Sequence, residues 1–507
     1  MYSKVYSTAL RGVSMELVSV ETDVSDGLPS FEMVGLLNSE VREARERVRS
    51  AIKNTGFLLP PKRMTVSLSP ADIRKEGNFF DLPIAIGILA SLGLINLKNI
   101  NDEILIAGEL SLSGKVVGIN GVLPMILAAR EKGIRRFIVP AQNASEGAVV
   151  EGVEIYGVSD LREAVDFFNG RETKSVEHMD FSSMYNKFLE KEELQEDFCE
   201  INGQETVKRA AEVAVSGMHH LLLIGSPGSG KSMIAKRIAG ILPRPDMEEC
   251  MEITKIHSIA GKLEGKIIKM TRPFRAPHHT LTDKALIGGG GNPKPGEITL
   301  AHKGVLFLDE LAEFRREAID SLRQPLEDGY VSISRLGGNY VFPADIMLVA
   351  ATNPCKCGYY PDRNKCNCSE VQVKNYIGKI SGPILDRIDV CITTPSVGVE
   401  SLGKKCGESS KEIRKRVENA RKCQYERYKE EKYRFNSQLP SGHIDKYCYL
   451  GEKEKKMMDM AYNTYGLSVR AYYKIIRVAR TIADLDGEEY IQEKHIAEAI
   501  GYRTDIL

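Results

Sequence analysis

The octapeptide Gly225-Ser226-Pro227-Gly228-Ser229-Gly230-Lys231-Ser232 carries glycines, a lysine and a hydroxyl in the spacing G-x-x-x-x-G-K-[ST]. Glycines let the backbone curl until successive N–H groups face one point. A lysine placed there reaches the terminal phosphates of a nucleotide, and the Ser232 hydroxyl suits Mg2+. This chemistry requires a strand before the loop and a helix after it. The apolar run His219 to Ile224 reads as that strand, and Ile234, Ile238 and Ile241 fall on one face of a following helix. A chance glycine-rich turn would lack both neighbours.

Two further apolar runs end in polar side chains of the right kind. "GVLFLDEL", from Gly304 to Leu311, is a buried strand pattern closing on Asp309 and Glu310. Asp309 would hold Mg2+ through water and Glu310 would polarise the attacking water. Alone, such an ending also marks an ordinary solvated strand edge; beside a phosphate loop it points to hydrolysis. "DIMLVAATN" ends on Asn353, at the end of a strand where open α/β sheets bind ligands. That amide could orient water or read a phosphate, or it could simply begin an Asn-Pro turn.

Directly after Asn353, Cys355, Cys357, Cys366 and Cys368 form two C-x-C pairs. Four soft thiolates suit a closed, structural tetrahedral zinc site better than a disulfide in a reducing compartment. A redox pair and a set of free thiols remain open readings. A metal clip here would stiffen the loop leaving the Asn353 strand.

These elements need a scaffold. With 507 residues the chain is too long for one core, and two to four domains are expected. Hydrophobic residues at 42% and charged residues at 27% describe an ordinary globular protein. Formal net charge is zero, so nucleic acid could be held only through a local basic patch. No export signal is legible, and the longest apolar run, Ile84 to Leu97, is too short to span a bilayer. The expectation is a cytoplasmic protein with reduced thiols and no membrane partner. Residues 1–170 alternate strand and helix patterns, 171–197 turn polar and read as a linker, 198–396 read as an α/β core, and 397–507 are helix-prone.

The loop motif, "LFLDE", "AATN" and "GPILDRIDV" together resemble the AAA+ ATPases. "RPFRAPHHTLTDKALIGGGGNPKPGEITLAHKGVLFLDEL" and "DSLRQPLEDGYVSISR" resemble more narrowly the magnesium-chelatase-like ATPases of the YifB/ComM type. The resemblance covers essentially the whole chain and implies an ATP- and Mg2+-dependent motor. Asn353 matches sensor 1. Arg387 matches an arginine finger acting in trans, which implies a ring, most simply a homohexamer. Arg470 matches sensor 2 on a helical lid, where it would contact the γ-phosphate. "VSISR" lies where relatives carry a β-hairpin, and "RPFRAPHH" is similar to a segment inserted in the second helix of the core, around residues 270–296. Arg272, Arg275, His278 and His279 would then supply a positive patch for DNA. The work implied is DNA translocation or branch migration; a chelatase-type motor on a protein partner and a nucleotide-gated scaffold are the alternatives.

The first 170 residues resemble the Lon-protease-type (ribosomal S5 domain 2-like) α/β domain. Asp81 and Pro83 stand as in the Lon nucleophile stretch, but the serine position holds Ile84 and the lysine position Leu123. Neither side chain can perform acyl transfer, so the resemblance implies the fold without the peptidase and leaves the domain free to hold a protein partner.

Overall fold

The computed structural model describes residues 1–96, 103–171, 174–191, 196–290, 293–335, 338–395 and 407–504. The chain divides into two units. One comprises Met1–Lys191, Met247–Met270 and Ile333–Val341; the other comprises Glu192–Asp246, Thr271–Ser332 and Phe342–Leu507.

The first unit is built on a seven-stranded mixed sheet. Tyr2–Arg11 and Ser14–Ser25 form a long antiparallel pair, extended on one side by Arg63–Ser69 and Ser30–Val34 and on the other by Ile104–Ile106, Arg136–Pro140 and Glu154–Val158. Side chains of alternate residues enter different cores. Ile104, Ile106 and Ile138 pack with the helix Asp81–Ser91, whereas Leu105, Phe137 and Val139 pack with the helix Val122–Glu131. That period of two means both faces of the sheet are covered. Ile84 and Leu123 are completely buried in these two cores, so both act as packing residues.

Two expectations are corrected here. The stretch read as a linker, 171–197, contains the helix Phe181–Lys191, and Phe181 packs with Cys250 and Ile268. Within the range assigned to the ATPase core, Met247–Met270 joins the first unit instead. Its helix Met247–Ile259 lies against Val122–Glu131, Met251 and Ile267 enter that core, and the Gly121 N–H donates to Ser258 Oγ at 3.1 Å. The expected boundary near 396–397 lies outside the described residues, as do residues 291–292 of the expected inserted segment.

The second unit carries a five-stranded parallel sheet in the order Phe274–Arg275, Val305–Leu308, Met347–Thr352, Leu221–Gly225, Val390–Thr394. All residues of Leu221–Gly225 and Met347–Thr352 are buried, as expected of parallel strands covered on both faces. Helices Glu205–Gly217 and Lys231–Ile241 share one core with the sheet and with the C-terminal helices Ser410–Arg427, Glu452–Tyr465 and Val469–Leu485. Ser409 and Glu412 close a capping box on the first of these C-terminal helices. The "RPFRAPHH" stretch is not an insertion in a helix: Phe274–Arg275 forms the edge strand, paired in parallel with Val305 and Leu306. "VSISR" does form a hairpin, Tyr330–Arg335 with Gly338–Pro343.

Candidate nucleotide site

Three adjacent strands of the parallel sheet end at one place. Leu221–Gly225 runs into the phosphate loop, Val305–Leu308 into Asp309 and Glu310, and Met347–Thr352 into Asn353. Gly225 lies so close to the neighbouring strand that a Cβ would stand 1.9 Å from Thr394 Oγ1. Ser229 Oγ and Thr394 Oγ1 share a 2.8 Å hydrogen bond that pins the loop to that strand. Gly228 and Gly230 take φ of +77° and +83°, the left-handed region glycine enters at no steric cost. The helix Lys231–Ile241 begins immediately after them, so its free N–H groups and positive dipole end face the cavity.

The side chains converge as their spacing predicts. Lys231 Nζ donates to the carbonyls of Gly225 and Ser226 at 2.7 and 2.9 Å and to Asn353 Oδ1 at 3.3 Å. Burial lowers the Lys231 pKa against the opposing pull of Asp309 and Glu310. Ser232 Oγ donates to Asp309 Oδ2 at 2.6 Å, which joins two hard oxygen ligands suited to Mg2+. Asp309 Oδ1 accepts the Glu310 N–H at 2.9 Å, and Glu310 itself sits at φ +53°. A non-glycine residue in that region is uncommon and places its carboxylate on the cavity wall. The cavity, about 410 Å³, is lined by Pro227–Met233, Asp309, Glu310, Thr352 and Asn353. It holds one cationic side chain and two carboxylates beside a helix N-terminus, an arrangement fit for a nucleotide triphosphate with a divalent cation.

Sequence reasoning missed one member. His279 Nδ1 stands 3.2 Å from Glu310 Oε2, while its ring lies tilted by 33° against His278 with centroids 4.1 Å apart and meets Phe314 edge-on. His279, expected in a DNA patch, thus stands beside Glu310. The other three patch residues are also engaged within the chain. Arg272 donates to the carbonyls of Pro243 and Lys303, Arg275 forms a two-bond ion pair with Glu297 at 2.6 and 2.8 Å, and His278 bonds Thr280. Glu297 matches the charge of Arg275, whereas the carbonyls that Arg272 meets and the Thr280 hydroxyl that His278 meets are neutral.

Arg387 and Arg470 are brought to each other and not to the phosphate loop. Arg387 donates to the Arg323 carbonyl at 3.1 Å and the Pro383 carbonyl at 2.7 Å. Both guanidinium groups then bind Glu327, one on each carboxylate oxygen. Burial pushes the Glu327 pKa up, but the two arginines outweigh it and hold the carboxyl below its ordinary range. They line a second cavity of about 840 Å³, which shares no residue with the first. Arg470, expected to contact the γ-phosphate, thus stands in this cavity and not in the one the phosphate loop lines.

The four cysteines do meet. Cys355, Cys357, Cys366 and Cys368 place their sulfurs within 4.8 Å of one another, with neighbouring pairs at 3.3 to 3.7 Å. Sulfurs at the corners of a tetrahedron with Zn–S of about 2.3 Å would stand about 3.8 Å apart. The donor set and spacing fit zinc. The Tyr359 backbone N–H, with help from neighbouring thiols, draws the Cys357 thiol down to about 6.

A phosphate loop facing an acidic strand end on a parallel sheet, with a helical C-terminal region, defines a P-loop nucleotide-binding protein of the AAA+ type. The family pattern described as magnesium chelatase, subunit ChlI, matches residues 197–402; its companions match 20–143 and, for the C-terminal part, 407–503. The chain is 43% identical over 503 residues to competence protein ComM of Haemophilus influenzae, covering 99% of this chain and 97% of that protein. It is 39% identical to YifB of Escherichia coli over 99% and 97% of the two chains. A magnesium-chelatase 67 kDa subunit of Chlorobaculum parvum is 27% identical over 161 residues, 31% of this chain and 23% of that subunit. The chain belongs to the YifB/ComM group of the magnesium-chelatase-like AAA+ family. Among the described residues no helix is long and apolar enough to cross a membrane.

Proposed function

We propose that the protein is a Mg2+-dependent ATPase whose ring drives DNA translocation or branch migration on incoming DNA. The observation that carries the ATPase is the convergence of Lys231, Ser232, Asp309, Glu310 and Asn353 on one cavity. Lys231 binds the β- and γ-phosphates once it leaves its own loop carbonyls. Ser232 and Asp309 hold Mg2+, which when bound neutralises charge on the phosphate oxygens. Glu310 accepts a proton from the attacking water, and Asn353 orients that water beside the γ-phosphate. Arg387 and Arg470 stand in a separate cavity, which supports their meeting the nucleotide of an adjacent copy and hence a closed ring, a homohexamer in our reading.

The DNA substrate rests on the relative named a competence protein, similar along its whole length. With Arg275 paired to Glu297, the hairpin Tyr330–Arg335 and Gly338–Pro343 is a further element to examine for DNA contact. Buried Ile84 and Leu123 in place of a Lon-type dyad support a first unit that organises the ring or binds a protein, without peptidase activity. The four-cysteine loop holds structural Zn2+. A second reading, a chelatase-type motor remodelling a protein partner, is favoured by the partial similarity to a magnesium-chelatase subunit. A scaffold that never hydrolyses has no use for Glu310.

Steady-state ATP turnover at fixed salt, alone and with single-stranded, duplex and forked DNA, separates these readings, with Glu310→Gln as the blank. Stimulation by DNA that disappears in the blank supports the DNA motor. Turnover that ignores every DNA yet needs Glu310 leaves the ATPase and transfers the work to a protein substrate.

A further inference from the structure

The loop that carries the four cysteines touches the phosphate loop itself. Its first turn, closed by the Gly358 N–H on the Cys355 carbonyl at 3.0 Å, sets Gly358 at φ +88°. There the backbone is so near the phosphate loop that a Cβ on residue 358 would stand 2.5 Å from Pro227 Cδ and 3.8 Å from Asn353 Cγ. Gly358 therefore faces two nucleotide-site residues at once: Pro227 within the phosphate loop, and Asn353, the partner of Lys231. Cys355, fully buried, lies two residues after Asn353, and Cys357 lies one residue before Gly358. Two of the four sulfurs thus bracket the contact.

The far side of the loop is anchored as well. The Cys366 N–H donates to the Asp362 carbonyl at 2.8 Å, and Arg363 donates to the Cys368 carbonyl at 2.7 Å while lying over the Tyr360 ring. Ser369 follows directly and caps the helix Glu370–Ile377. These local bonds and the sulfur cluster, with further turn bonds at Asp362, Asn364 and Lys365, shape the segment between the Asn353 strand and that helix. A cation that ties the sulfurs together removes the segment's freedom, and its loss restores that freedom and lets the turn at Gly358 leave Pro227.

We propose that the four-cysteine loop is a metal-dependent clamp on the phosphate loop: Zn2+ on Cys355, Cys357, Cys366 and Cys368 holds Gly358 against Pro227 and Asn353 beside Lys231, and so sets the affinity for nucleotide. The proposal rests on the nucleotide and zinc readings above and adds a consequence to them. Metal occupancy at the four sulfurs controls binding at the neighbouring nucleotide site.

The test uses the full chain purified without a polyhistidine tag. Zinc content is measured by atomic emission, and the affinity for fluorescent mant-ADP with Mg2+ is titrated on zinc-loaded, chelator-stripped and zinc-restored protein. The stripped chain should keep its far-UV circular dichroism, bind mant-ADP about tenfold more weakly, and recover with zinc. Gly358→Ala provides an arm that leaves all four ligands in place: it should retain stoichiometric zinc yet bind mant-ADP several-fold more weakly, because its Cβ meets Pro227 and its backbone, at φ +88°, is strained for alanine. Equal affinity of stripped and loaded protein, or full affinity in a zinc-loaded Gly358→Ala chain, overturns the clamp while leaving the nucleotide site intact. A chain that takes up no zinc overturns the clamp and the metal site together. Zinc-loaded protein that fails to bind mant-ADP removes the nucleotide reading and the clamp with it.

Discussion

Lys474→Ala should weaken the C-terminal helices in a manner that depends on pH. In the folded chain Lys474 Nζ lies 2.6 Å from Asp389 Oδ1, and only 8% of each side chain is exposed. The other groups that face Asp389 lie farther off, the His220 N–H donating at 3.2 Å and His219 Nδ1 standing 3.5 Å away. Burial pushes the Asp389 pKa up, but Lys474, His219 and His220 together hold it well below the ordinary range. Its favourable contribution is therefore complete above the unfolded pKa and lost only as pH falls through the depressed folded value. Between pH 7 and pH 5 the parent chain should not weaken on this account. Without Lys474 the buried carboxylate is left short of charge compensation, which typically costs about 3–5 kcal/mol. Protonation offers an escape and caps the cost at about 1.36 kcal/mol per pH unit above an unfolded pKa of about 3.9, hence about 4 kcal/mol at pH 7 and about 1.5 kcal/mol at pH 5. Lost packing adds a part that does not vary with pH. Hydrogen-exchange mass spectrometry of the helix Val469–Leu485 at the two pH values reads the opening free energy directly. A cost under about 1 kcal/mol at pH 7, or one that fails to shrink at pH 5, would refute the argument. ATP turnover should fall as well, since Asp389 lies two residues after Arg387 and Lys474 one helical turn after Arg470.

Glu310→Gln should keep its affinity for mant-ADP and lose roughly 10²–10⁴-fold in turnover, read by phosphate release; loss of nucleotide binding would contradict its assignment as the proton acceptor. His279→Ala should lower turnover at unchanged nucleotide affinity, with partial rescue in His279→Asn, because the ring positions Glu310 and does not touch the phosphate loop. Glu327→Gln should release Arg387 and Arg470, so turnover should rise at lower protein concentration in a dilution series; an unchanged concentration dependence would mean the carboxylate does not restrain them. Arg275→Ala should destabilise the chain by about 1–2 kcal/mol in thermal unfolding, through loss of its two-bond ion pair with Glu297, and leave DNA affinity and its salt slope unchanged.

What could be read along the chain was the chemistry whose residues are consecutive. From Gly225 to Ser232 the glycines determine their own backbone and the strand and helix on either side define the exit, so eight residues suffice to specify a phosphate cradle. The buried run into Asp309 and Glu310, the strand into Asn353 and the close cysteine pairs were legible for the same reason: each element carries its functional group at its own end. Tertiary packing decided the rest. Arg275 looks cationic in sequence, but Glu297 pairs with it, and the carbonyls of Pro243 and Lys303 engage Arg272. His279 reaches Glu310 because the edge strand Phe274–Arg275 runs parallel to Val305–Leu308, and Arg470 meets a carboxylate 143 residues away. Likewise Met247–Met270 leaves the unit in which its sequence neighbours fold, and Gly358 comes to rest on Pro227. Local backbone geometry is specified by adjacent residues, whereas the partner of a long charged side chain is whichever group the packed elements bring within reach.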